Sequence, residues 1–118
     1  MYDIIFYDTK DGKCPVQEFL DGLEPKLLAK TFRTIDLLEM NGPILREPYS
    51  KYLEDGIFEL RTKQGSDITR VLYFFVVGQK IVLTNGFLKK TQKTPKMEKE
   101  LAKKYKEDYE RRYNHEQL

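Results

Sequence analysis

The chain has 118 residues, 40% of them aliphatic or aromatic and 34% charged, with a single cysteine and a single histidine. That length supports one hydrophobic core and so one domain, residues 1–118. The lone Cys14 excludes an internal disulfide or a cysteine-built metal cage, and no apolar run approaches the roughly 20 residues that span a bilayer. The net charge of +2 conceals a polarity, because residues 1–60 sum to −5 and residues 61–118 to +7. One half of the chain is therefore suited to an anionic partner.

Tyr2 to Tyr7 is rich in Ile, Phe and Tyr and reads as an opening strand. It lacks the basic region and small-residue cleavage site of an export signal, so a reducing, cytoplasmic setting is expected. Asp8 to Lys13 contains Asp-Gly and forms a turn. Pro15 suits a first helical turn, and Val16, Phe19, Leu20 and Leu23 follow at i, i+3, i+4 and i+7, one face of a helix that Gly22 interrupts. Pro25 opens a second, longer helix. Leu28, Phe32, Ile35 and Leu38 form its expected buried stripe, widened by Leu27, Leu37 and Met40, and Asn41-Gly42-Pro43 ends it. Residues 44–56 read as an irregular crossing loop.

Three strands follow. In the first, Phe58 and Leu60 point one way and Ile57, Glu59 and Arg61 the other, since strand side chains alternate. Lys63 to Asp67 reads as a polar turn. Arg70 to Val77 is nearly all apolar and is expected at the centre of the sheet. Gly78-Gln79 marks a hairpin into Ile81 to Phe87. Thr94-Pro95 resembles an N-cap and first helical residue, leading to a last helix with Met97, Leu101, Tyr105, Tyr109 and Tyr113 on one stripe. Residues 114–118 are expected to fray. The fold expected is α+β: an antiparallel-dominated sheet of about four strands, a two-helix hairpin on one face and a C-terminal helix.

The chemistry is narrowed by what is missing. The only histidine, His115, lies in the tail, which removes a histidine acid–base pair, a Ser-His-Asp constellation and a zinc site. There is no glycine-rich phosphate loop, and the acids are too scattered for a two-metal nuclease. No cofactor or metal is expected. What remains is cations: eight Lys/Arg between Arg61 and Lys96 against one acid, Asp67. RNA carries its own nucleophile, the ribose 2′-OH. Attack on the neighbouring phosphate needs alignment, removal of a proton and stabilisation of charge on the phosphate oxygens, and arginine supplies the last best. A lysine crowded by Arg61 and Arg70 has its ammonium form destabilised and becomes a proton acceptor. Glu59, on the face of Arg61, could accept a proton or hold an arginine in place. Taken singly, Arg61 and Arg70 also read as solvated edge charges, and Lys89, Lys90 and Lys93 as a solvated loop.

Three stretches carry a resemblance: Gly56-Ile57-Phe58-Glu59-Leu60-Arg61, Arg70-Val71-Leu72-Tyr73-Phe74-Phe75, and Asn85-Gly86-Phe87-Leu88-Lys89-Lys90-Thr91-Gln92-Lys93-Thr94-Pro95. With the order of elements, they resemble the RelE/HigB toxins of bacterial type II toxin–antitoxin pairs, in their phage-related, HigB-like branch. The resemblance implies a RelE-like fold and a metal-independent endoribonuclease that cuts messenger RNA on the ribosome. It implies Arg61, Arg70, Lys89 and Lys90 as catalytic residues, and adds Lys93 as a further candidate; from the basic set, Lys63, Lys93 and Lys96 are expected to bind RNA. It implies as partner a HigA-like helix-turn-helix antitoxin, with promoter DNA bound only through the complex. Relatives of this fold also suggest a non-catalytic toxin that inhibits a topoisomerase through its C-terminal helix, and the basic half alone would suit a plain nucleic-acid-binding module.

Overall fold

The computed structural model describes residues 1–89 and 93–113. Lys90 and the tail 114–118, with His115, lie outside the described residues. The elements are β1 (Asp3–Phe6), α1 (Pro15–Asp21), α2 (Pro25–Asn41), β2 (Ser50–Glu54), β3 (Ile57–Gln64), β4 (Asp67–Val76), β5 (Lys80–Leu88) and α3 (Lys96–Tyr113), with a short 3-10 turn at Gly42–Ile44. They form an α+β fold around one five-stranded sheet of order β1-β5-β4-β3-β2. β1 runs parallel to β5, and every other pairing is antiparallel.

The sheet has five strands rather than four because Ser50–Glu54, read as loop, pairs with β3 as an edge strand. Its side chains are mostly exposed or half-buried, so no apolar alternation marks it. The β3–β4 turn is also tighter than the polar stretch implies. β3 runs to Gln64 and β4 starts at Asp67, leaving a two-residue turn in which Gly65 takes φ +63, a conformation that glycine adopts at no steric cost.

Helices cover both faces of the sheet. On one face, Val16 and Leu20 of α1 and Ile35 and Leu38 of α2 pack on Leu60, Val71, Tyr73, Ile81 and Leu83. On the other, Ala102 and Tyr109 of α3 pack on Ile57, Leu72, Phe74 and Val82. The buried stripe of α2 is rotated from the one expected. Leu27, Thr31, Thr34, Ile35 and Leu38 face inward, while Phe32 and Met40 are exposed, as is Met97 of α3. Two threonines can take buried positions because each hydroxyl donates to the carbonyl one turn back, Thr31 to Leu27 at 2.8 Å and Thr34 to Lys30 at 3.1 Å. Thr31 also meets the Thr69 hydroxyl of β4 at 3.1 Å.

Among the described residues, no helix is long and apolar enough to cross a membrane.

Candidate functional site

The α3 face of the sheet is apolar beneath the helix and becomes charged beyond the helix N-terminus. The cause is register. Arg61 of β3 stands directly opposite Arg70 of β4, and Arg70 opposite Phe87 of β5. One step along the same face, Lys63 stands opposite Ile68, and the Lys89 N–H donates to the Ile68 carbonyl at 2.8 Å, extending the β5 register. One step the other way, Lys51 of β2 pairs with Glu59. Since every second residue of a strand shares a face, Lys51, Glu59, Arg61, Lys63, Arg70 and Lys89 lie on one side of the sheet.

Two arginines directly opposite each other would repel. Glu59 offsets this. Its carboxylate is fully buried and accepts from Arg70 Nη1 at 2.5 Å and from Arg61 Nε at 3.0 Å on one oxygen. On the other it accepts from the Thr94 hydroxyl. Thr94 therefore ties the basic segment to the sheet rather than capping α3, which starts at Lys96. Burial by itself would raise the Glu59 carboxyl. The hydrogen bonds from Arg70, Thr94 and Arg61 outweigh it and hold the group below the ordinary carboxylate range. A carboxylate so engaged has little appetite for a further proton. Of the two roles open to Glu59, holding the arginines is the one its geometry serves.

Arg70 is only 2% exposed, and its Nε is buried without a hydrogen-bond partner among the described residues. A buried unsatisfied donor on a cation is costly. Arg61 is more open, with a second carboxylate, Glu47, 3.6 Å from its Nη1. Lys89 has its ammonium pushed below the ordinary lysine value, first by partial desolvation and then by Arg70 and Arg61. It is the described side chain of this cluster best prepared to exist as a free amine.

Arg61 and Arg70 both line two neighbouring hollows. The larger, about 420 Å³, is lined by five cations, Lys30, Arg61, Lys63, Arg70 and Lys89, and by Thr34, Pro48, Tyr49, Thr62 and Ile68, with no acid. The smaller, about 250 Å³, is lined by Lys51, Tyr52, Leu53, Glu54, Arg61, Arg70, Lys93, Thr94 and Lys99. Of the residues singled out in the sequence, Arg61, Arg70, Lys63 and Lys89 meet at the first hollow over Glu59, and Lys93 lines the second. Lys96 does not join them. It lines an adjoining depression that shares Glu54, Lys93, Thr94 and Lys99 with the second hollow. Tyr49, Lys51 and the Thr94 hydroxyl were not legible as site residues, because the edge strand that brings Tyr49 and Lys51 in was read as loop. The tyrosines of α3 sit elsewhere, with Tyr105 stacked on Tyr7 at 4.6 Å and Tyr109 against Phe74 at 5.7 Å. Among the described residues no three His, Cys, Asp or Glu side chains gather as metal ligands.

The Asn85-Gly86-Phe87 stretch ahead of the lysines has a scaffolding part. Asn85 Nδ2 donates to the Glu98 side chain at 3.0 Å and to the Glu98 carbonyl at 3.3 Å, anchoring the start of α3. Gly86 lies under the Phe19 ring of α1, and a side chain there would be driven into that ring.

No curated protein matches this sequence. A family model, that of the phage-derived Gp49-like proteins, matches residues 18–107, a span that contains every residue lining the two hollows. That span exceeds three quarters of the chain, and the protein belongs to this Gp49-like family of phage-derived, toxin-like proteins.

Proposed function

We propose that the protein is the toxin of a toxin–antitoxin pair, of the RelE/HigB type, and acts as a metal-independent endoribonuclease on ribosome-bound messenger RNA. One observation carries the reading: two arginines side by side on a buried carboxylate, with Lys89 completing an acid-free hollow. Such a hollow suits a phosphodiester and its developing negative charge.

The chemistry follows from those groups. Lys89, as the free amine, takes the proton of the 2′-OH. The 2′-oxygen attacks the adjacent phosphorus, and Arg61 and Arg70 stabilise the charge that accumulates on the non-bridging oxygens. The bond to the 5′-oxygen breaks, that oxygen takes a proton from a protonated lysine of the hollow, and the products are a 2′,3′-cyclic phosphate and a free 5′-hydroxyl. Glu59 keeps the two guanidinium groups in register. The partner is a HigA-like helix-turn-helix antitoxin that silences the toxin and carries promoter binding for the pair.

Primer extension on messenger RNA after induction tests this. New 5′ ends are expected with the wild-type protein and none with Arg61→Ala or Lys89→Ala, each verified as folded. Growth arrest without new ends would overturn the nuclease reading and turn attention to inhibition by binding, which a supercoiling assay would detect.

A further inference from the structure

The larger hollow is more than a seat for one phosphate. Besides its five cations it is lined by Pro48, Tyr49 and Ile68, with Thr34 and Thr62. Its volume of about 420 Å³ falls within the roughly 300–1,000 Å³ of sites that enclose small organic ligands. A cavity that combines apolar and cationic lining is complementary to a group that is flat and apolar at one end and anionic at the other.

Tyr49 is the lining residue with the most telling surroundings. Its backbone is fixed twice, by its N–H donating to Arg46 O at 3.0 Å and its carbonyl accepting from Arg61 N at 2.7 Å. The second bond sets it opposite Arg61, in the row that continues to Arg70. Its side chain is nevertheless 44% exposed. Phe58, Tyr73 and Phe75 form ring pairs with one another, and Tyr52 with Phe58, but Tyr49 makes none among the described residues. A ring pinned at its backbone and open on its side chain, beside phosphate-binding cations, is a stacking platform.

We infer that this hollow is a nucleotide subsite: an unpaired RNA base next to the scissile phosphate enters it and stacks on Tyr49, while Arg61 and Lys89 hold the phosphate. The inference rests on the proposed nuclease reading for its substrate and adds the part of the site that grips a base. It assigns to Tyr49 a binding role, with Thr34 and Ile68 as the base's other neighbours.

The test is a titration of the full-length protein with each of the four ribonucleoside monophosphates, followed by methyl NMR, with inorganic phosphate as the control. Nucleotides should shift the Thr34 and Ile68 methyl signals, and phosphate should leave those two unchanged. Tyr49→Ala should weaken nucleotide binding by about 10- to 100-fold, the worth of one stacked base, and Tyr49→Phe should keep it. Identical shifts from phosphate and nucleotides, or unaltered affinity in a folded Tyr49→Ala variant, would overturn the subsite. So would Thr34 and Ile68 signals that respond to antitoxin alone, which would make a protein segment the occupant. The readout does not use cleavage. Nucleotide binding without messenger RNA cuts would sink the nuclease and leave the subsite standing, whereas cuts with an indifferent Tyr49 would do the reverse.

Discussion

Glu59→Gln preserves the shape of the side chain and removes its charge. The native carboxylate is fully buried and serves three donors, Arg70 at 2.5 Å, Arg61 at 3.0 Å and the Thr94 hydroxyl. The amide has one oxygen to offer and turns an NH2 group toward a guanidinium. Removing one partner of a buried ion pair costs about 3–5 kcal/mol, because the remaining charge stays desolvated. Against a total domain stability of about 5–15 kcal/mol that is a large fraction. With a urea slope of about 2 kcal/mol per molar, a loss of about 4 kcal/mol lowers the unfolding midpoint by about 2 M.

The pH dependence sharpens the test. The folded-state value of Glu59 lies below the ordinary 4.5. A group depressed in this way contributes stability that is complete above its unfolded value and is lost as pH falls through the folded one. The gap between wild type and variant should therefore be full at neutral pH and close below pH 4.5. Cleavage should fall in the variant without a change in the shape of its pH profile, whereas loss of a general base would remove one limb. Equal urea midpoints at neutral pH would refute the argument that Glu59 holds the arginine pair.

Three further outcomes are expected. Lys89→Gln should lower the slope of log affinity for RNA against log salt by about 1, the value of one phosphate contact; since its ammonium is pushed below the usual 10.5, wild-type cleavage should climb with pH and level off before that value, and the climb should vanish in the variant. Tyr7→Phe removes a phenol that donates to Asp108 at 2.5 Å, a bond to a charged acceptor worth about 1.5–3 kcal/mol. Burial first, and then Asp108, push that phenol up to about 12 from 10.0, so its contribution is complete below pH 10 and lost between 10 and about 12; melting temperatures of the two proteins should converge over that interval. Gly86→Ala drives a methyl into the Phe19 ring and should cost about 1–3 kcal/mol, the range for overpacking, read as a lower melting temperature; an unchanged value would mean that α1 shifts freely.

How much of this was legible in the sequence depended on which residues advertise their environment. Pro15 and Pro25 mark helix starts because a missing N–H is harmless only there, and both helices begin at those residues. The alternation that sets Glu59 with Arg61 follows from strand geometry alone. The stripe of α2 did not follow, because Thr31 and Thr34 look polar until their hydroxyls are seen to bond one turn back. β2 was hidden for a related reason. An edge strand with one partner and one solvated side has no apolar pattern to show, and Lys51, Tyr52 and Glu54 read as loop. With β2 unseen, the places of Tyr49 in the larger hollow and Lys51 in the smaller were unseen too.

The position of Lys89 turns on a single residue. Between Val71 and Tyr73 the β4–β5 pairing shifts by one, so Val71 meets Gly86 while Tyr73 meets Leu83. Continuing the Tyr73 register without that shift would set Arg70 opposite Gly86 and Lys89 opposite Asp67, and a one-residue slip moves a side chain to the other face of a sheet. The bulge thus turns Phe87 and Lys89 toward the arginines. The residues at the shift are the ones that fix it. Thr84 donates to Leu72 O at 3.1 Å and to Asn85 Oδ1 at 2.7 Å, Asn85 holds Glu98 at the head of α3, and Gly86 leaves room for Phe19. A bulge beside an active site typically re-aims a side chain, and here the one re-aimed is the lysine given the proton-accepting role. That accounts physically for an Asn-Gly-Phe stretch just ahead of the lysines: it sets the face on which Lys89 joins Arg61 and Arg70.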